Sequence, residues 1–217
     1  HTDTEQSHAR IEDAVRAIRA AGALPVVIGG DHSINIPCVR AFADHGPIHI
    51  LQIDAHLDFV DERHGVRHGH GNPMRRAAEQ DHVTGLSQFG IRNVSSTAKD
   101  GYEDARAMGS DILSVRQIRA LGVAAVVDRI PANADIYLTI DIDGFDPSIA
   151  PGTGTPSHGG FLYYEVLEII AAVVKRQRIV GIDLVEVAPD YDQTGGTAIL
   201  AAQLLLNVIG RILHHRG

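Results

Sequence analysis

Residues 48–58 read Ile-His-Ile-Leu-Gln-Ile-Asp-Ala-His-Leu-Asp, an apolar run that stops on two carboxylates and an imidazole. Ile48, Ile50, Leu51 and Ile53 give the short, nearly continuous apolar segment that a strand buried on both faces requires. Asp54, His56 and Asp58 follow at every second position. In extended chain that period puts all three side chains on one face of the strand end. A buried strand with such an ending predicts a sheet covered on both sides, with chemistry gathered at one edge.

The same alternation runs through the chain. Apolar spacing predicts strands over 24–28, 48–53, 86–91, 136–142 and 179–185. Helices are predicted over 9–21, 34–43, 73–79, 102–108, 115–120, 164–174 and 197–212, with Pro37 in the first turn of the second. Polar or Pro/Gly-rich loops fill 59–71 and 146–160. No repeat, low-complexity tract or linker interrupts the pattern. The expected fold is α/β: three layers, α/β/α, around a mostly parallel central sheet, in one domain over residues 1–217. Ligands of such folds sit at the C-terminal strand ends. Asp31, His32, Asp54, His56, Asp58, Asp141, Asp143 and Glu186 all fall there.

Composition narrows the function classes. The chain has 217 residues, 44% hydrophobic and 21% charged, which is ordinary globular usage. A formal charge of −8 argues against a nucleic-acid surface. No apolar run reaches the ~18 residues of a membrane span, and 198–213, broken by Gln203, Asn207 and Arg211, reads as a packed helix. The single cysteine, Cys38, excludes an internal disulfide, fits a reducing cytoplasm and reads as a core residue. The start at His1, with neither initiator Met nor signal peptide, reads as a fragment of a longer protein.

The carboxylates pose the chemical question. Asp141 and Asp143 alternate as Asp54 and His56 do. Buried ionised carboxylates in company need protons, basic partners or metal ions. No Lys or Arg stands beside either strand end in sequence; the nearest is Arg63, in the loop. Metal is the best answer, because four aspartates and two histidines balance two divalent cations. That mixed oxygen and nitrogen set suits Mn, Fe, Co, Ni or Zn better than Ca. Taken singly, each group has a plainer reading: Asp54 a cap, His32 or His56 a core histidine, Asp146 a turn residue. Taken together they do not.

Three segments resemble the signatures of the ureohydrolases, the arginase and agmatinase family. They are Ile28-Gly29-Gly30-Asp31-His32-Ser33, then Ile53-Asp54-Ala55-His56-Leu57-Asp58, then Thr139-Ile140-Asp141-Ile142-Asp143 with 146–147 and 151–156 after it. The resemblance runs from about residue 26 to the C-terminus, and it implies that an N-terminal part of the fold is missing. It implies two Mn ions per chain, one held by His32, Asp54, Asp58 and Asp141, the other by His56, Asp54, Asp141 and Asp143. His70, in His70-Gly71-Asn72-Pro73, would be the proton shuttle, and Glu186 the partner of a guanidinium. Asp58 would orient the attacking hydroxide. Thr155 would support the pocket, and Asp183 would be structural. The family also implies homotrimers or homohexamers, in the cytoplasm.

The resemblance implies hydrolysis of a guanidino group to urea and an amine. Val60 stands where arginases carry an Asn in the loop that grips an amino-acid head group. The wording of 54–59 and of Val187-Ala188-Pro189 is that of agmatinases. Agmatine, giving putrescine in polyamine biosynthesis, is therefore the expected substrate. Guanidinobutyrate, guanidinopropionate and proclavaminate precursors are the rivals, with Arg63, Arg67 or Arg75 available to a carboxylate. A non-catalytic homologue acting as a binding subunit is the alternative from another class, and the retained ligand set argues against it.

Overall fold

The computed structural model describes residues 3–94 and 96–216. Six strands form one sheet: β1 (Val26–Ile28), β2 (Ile48–Ile53), β3 (Val83–Phe89), β4 (Ser110–Leu113), β5 (Asp135–Asp141) and β6 (Arg178–Val185). Their order is β1-β6-β5-β2-β3-β4, and every pairing is parallel. Every residue of β2 is buried, its two polar ones, His49 and Gln52, included.

Among the described residues, eight helices cover the sheet in chain order. α1 (Thr4–Ala20), α2 (Asn35–Arg40), α3 (Pro73–Ala78) and α4 (Lys99–Ala107) lie on one face. There Val15, Val39, Met74 and Ala105 pack with Ile48, Ile50, Leu86 and Tyr137. α5 (Val115–Leu121), α6 (Val123–Val127), α7 (Tyr163–Val174) and α8 (Gly196–Arg216) cover the other face. There Ile118, Val126, Ile170 and Leu204 meet Leu51, Ile53, Leu138, Ile140 and Ile182. The three-layer, parallel architecture read from the sequence is the one observed. Cys38 is fully buried in α2, and burial pushes its thiol far up.

Several boundaries differ for local reasons. α1 starts at Thr4, not residue 9, because the Asp3 side chain caps it by accepting the Gln6 N–H at 2.9 Å. β3 runs 83–89 rather than 86–91 and ends at Gly90, whose φ is +102°. β4 and α6 were not predicted; at four and five residues they are too short for periodicity to register. The strand expected over 136–142 stops at Asp141, and Ile142–Gly144 is a 3-10 turn. α8 is long and apolar enough to cross a membrane, yet Ala201, Leu204, Leu205, Val208 and Ile212 are buried in the core.

The loop over 59–71 is more ordered than its composition suggests. Arg63 and Val66 exchange backbone hydrogen bonds of 2.9 and 3.0 Å around His64 and Gly65, whose φ values of +53° and +79° make the tight two-residue turn favoured in hairpins. Asn72 ties the loop's base together: its Oδ1 accepts the Gly69 N–H at 2.9 Å and its Nδ2 donates to the Val60 carbonyl at 2.6 Å.

Candidate metal centre and substrate cavity

Four neighbouring strands, β1, β6, β5 and β2, deliver their ends to one place. His32 follows β1, Glu186 follows β6, Asp141 ends β5, and Asp54, His56 and Asp58 follow β2. The convergence does not come from strand alternation, as the sequence suggested. It comes from turns. The Asp54 carboxylate accepts the His56 N–H at 2.6 Å, and the Asp141 carboxylate accepts the Asp143 N–H at 2.9 Å. Each Asp folds the chain back so that the residue two places on returns beside it. Ala55 N–H then donates to Asp143 Oδ1 at 3.1 Å, joining the two turns. Gly144 is required at this junction: a Cβ there would stand 3.0 Å from the Asp54 nitrogen. Asp58 completes the first turn in the left-handed region, at φ +52°.

His32 is the most informative side chain. It is fully buried, and its Nε2 lies 2.9 Å from Thr139 Oγ1. Thr139 donates its hydroxyl hydrogen to Asp183 Oδ1, so it can only accept from the imidazole. Asp183 is held in turn by Tyr137 Oη at 2.8 Å and Asn35 Nδ2 at 2.9 Å. That chain places a ring proton on Nε2 and turns Nδ1 towards the carboxylates. Nδ1 has no hydrogen-bond partner, yet it lies 2.9 Å from Asp58 Oδ2, 3.2 Å from Asp54 Oδ2 and 3.4 Å from Asp141 Oδ2. Burial lowers the His32 pKa, but Asp141, Asp54 and Asp58 more than reverse this and hold it well above the usual imidazole range, so without metal a proton occupies the Nδ1 position that a metal ion would take. On the other side His56 Nδ1 lies 3.0 Å from Asp143 Oδ2 and 3.6 Å from Asp54 Oδ1. Two groups result, His32-Asp54-Asp141 and Asp54-His56-Asp143, each with ligand atoms within 4.8 Å of one another and with Asp54 common to both. The donor set and the orphaned nitrogen fit divalent metal ions.

The electrostatics say the same. Burial and the nearby Asp143 and Asp54 push Asp141 well above the carboxylate range. Burial and Asp54 raise Asp58 to about 6. Burial lowers His56, but hydrogen bonds to Asp143 and Asp54 more than reverse this and lift it to about 11. The cluster retains protons where cations would otherwise neutralise it.

Behind the turns stands a residue that sequence reading passed over. Arg92 lies three residues past the end of β3, far in sequence from every motif but beside the site in space. Its guanidinium donates to the carbonyls of Asp143 at 2.8 Å, Gly90 at 3.2 Å, Gly144 and Phe145 at 3.3 Å, and His158 at 3.1 Å, and also to Ser157. The expectation that Arg63 is the nearest base is thus corrected: β3 pairs with β2, and this brings Arg92 in. The signal available was an Arg directly after a buried strand.

Above the carboxylates opens a cavity of about 270 Å³, whose walls include Asp58, His56, Arg63, His70, Thr155 and Glu186. Glu186 Oε1 accepts the His32 N–H at 2.8 Å, leaving its other oxygen for a ligand. Its φ of +63° is rare for a non-glycine residue, and burial raises its pKa. Thr155 Oγ1 donates to Asp143 Oδ2 at 2.9 Å, so it touches the carboxylate cluster as well as the cavity. His70 and Arg63 are exposed at the mouth. Arg67 and Arg75 lie elsewhere, paired with Asp61 at 2.8 Å and Asp104 at 2.7 Å. Asp146 holds its loop by accepting the N–H groups of Ser148, Gly159 and Gly160.

The description "Arginase family" matches residues 1–210. The chain is 37% identical over 211 residues to human "Guanidino acid hydrolase, mitochondrial", covering 94% of this chain and 59% of that protein. It is equally 37% identical, over 206 residues, to "Agmatinase, mitochondrial" of Gallus gallus, covering 92% of this chain and 60% of that one. Among solved structures, the proclavaminate amidino hydrolase of Streptomyces clavuligerus superposes with a TM-score of 0.87 at 31% identity, over 97% of this chain and 72% of that one. The chain therefore spans about 60% of the length of these curated relatives.

Proposed function

The chain belongs to the arginase family, and from that premise we propose that the protein containing it hydrolyses a terminal guanidino group to urea and an amine. The observation that carries this reading is His32 Nδ1, fixed among three carboxylates beneath a cavity that also holds Glu186. His32, Asp54, Asp58 and Asp141 would hold one divalent ion, and His56, Asp54, Asp141 and Asp143 the other; we assign Mn to both. When bound, the two ions supply charge neutralisation and a water acid enough to act as a nucleophile near neutral pH.

The protein groups do the rest. A guanidinium is planar and forked, and the free oxygen of Glu186 gives it a charge-assisted hydrogen bond that orients its carbon. Asp58, beside the cavity floor, accepts a hydrogen bond from the attacking water and aims it. His70, at the mouth, delivers a proton to the departing amine. Thr155 holds Asp143 in place. The substrate reading is finer than the relatives resolve, since a guanidino acid hydrolase and an agmatinase stand at the same 37% identity. Agmatine, which the sequence wording favours, and guanidino acids are the two candidates.

The test is metal content and urea release by the full-length, Mn-loaded protein across agmatine, arginine, guanidinobutyrate and guanidinopropionate. Two ions per chain and urea from at least one substrate are expected. Absence of bound metal, or of urea from every guanidino compound, would sink the proposal.

A further inference from the structure

We propose that Arg63 binds a carboxylate on the substrate, so that the preferred substrate is a guanidino acid rather than agmatine. This deepens the hydrolase reading above and rests on it. The cavity carries charge of known sign on its walls. Asp58 and Asp141 belong to the metal-ligand cluster, and Glu186 is the acceptor for a guanidinium. Among the described residues that line the cavity, Arg63 is the one arginine, and there is no lysine. A substrate anchored by its guanidinium at Glu186 must offer its other end to the remaining wall. Agmatine would bring an ammonium into a cavity that already holds a guanidinium. A guanidino acid would bring a carboxylate.

Arg63 is also prepared to receive one. No described carboxylate lies within the 4.0 Å ion-pair distance of its side chain, whereas Arg67, Arg75 and Arg76 are spent on Asp61, Asp104 and Glu79. Among the described residues its side chain donates from Nη2 to the Ser96 carbonyl, at 2.6 Å. That bond fixes the group but uses few of the five N–H donors. Its backbone is fixed by the tight turn at His64-Gly65, which Arg63 closes through both of its hydrogen bonds to Val66. A guanidinium held on a rigid turn, tethered at one nitrogen and lacking an acid, is suited to a carboxylate. Because the side chain is solvent-exposed, the attraction will weaken with salt.

The experiment uses the full-length protein loaded with Mn, at low and high salt, on guanidinobutyrate, guanidinopropionate and agmatine. Wild type, Arg63→Gln and Arg63→Glu are compared, with metal content and the unfolding midpoint recorded for each. Wild type should favour the acids. Arg63→Gln should lower kcat/KM on the acids by about tenfold, mainly through KM. Arg63→Glu should move the acid-to-agmatine ratio further, towards agmatine, and added salt should shrink the wild-type preference. A wild-type preference for agmatine, or variants that shift acids and agmatine by the same factor, would overturn the Arg63 assignment while leaving the hydrolase intact. Urea from none of the three, with two ions bound, overturns the hydrolase reading instead, and this inference with it.

Discussion

The floor and the mouth of the cavity are built on different principles. On the floor, His32, Asp54, His56, Asp58, Asp141 and Asp143 are all 7% exposed or less, and backbone turns fix them at strand ends. At the mouth, His70 and Arg63 are exposed and stand on a loop held by one hairpin turn and Asn72. The floor is over-determined: moving one ligand disturbs the hydrogen bonds of its neighbours. The mouth can change a side chain without altering the frame. This contrast explains how one family keeps its metal chemistry while its relatives differ in substrate.

The contrast can be attacked from the floor first. Asp54→Asn removes the carboxylate common to both ligand groups, so both ions and all urea release should vanish, while His56→Asn should lose one ion and most activity; elemental analysis of purified protein distinguishes them. At the mouth, His70→Ala should keep both ions yet turn over about a hundredfold or more slower. Loss of metal in that variant would show that floor and mouth are not separable. Arg92→Ala tests whether the floor depends on what stands behind it. Metal affinity in the Asp143 half should weaken about tenfold to a hundredfold, with Arg92→Lys in between, as calorimetric titration would report.

Proton release is a sharper probe of the same region. Raised pKa values mean that Asp58, Asp141 and His56 hold protons that metal must displace. Raising the pH removes those protons beforehand, so affinity should climb with pH, about tenfold per unit for each proton displaced. The slope should ease above about 6, where Asp58 is ionised, while the His56 contribution persists towards about 11. Calorimetry in buffers of differing ionisation enthalpy counts the protons directly, and a count of zero contradicts the cluster's electrostatics. The smallest effect should come from Thr155→Val, which removes one hydrogen bond to Asp143 and should cost tenfold at most in metal affinity.

What the sequence made legible follows from the kind of force involved. β2 and β5 were readable because burial on two faces favours apolar residues at most positions, and that leaves a visible run. The residues at their ends were readable because carboxylates after such a run are chemically out of place. The geometry was not. Alternation in a strand and an Asp-initiated turn both bring residues two apart together, so the spacing identifies the group without identifying the mechanism. Arg92 was illegible because its partners are backbone carbonyls, which carry no side-chain signature, on segments up to 66 positions away. β4 was missed because its four residues, Ser110–Leu113, are too few and too polar for a period to register.

The Asp-led turns have an evolutionary corollary. In both, the leading carboxylate accepts the N–H two positions on, and an asparagine oxygen could accept that bond in the same place. One nucleotide separates an Asp codon from an Asn codon. A lineage can therefore abandon the metals in a single step while the turns, and the scaffold resting on them, survive. Duplicated genes of this kind are expected to leave well-folded, catalytically silent descendants, free to be recruited for binding alone.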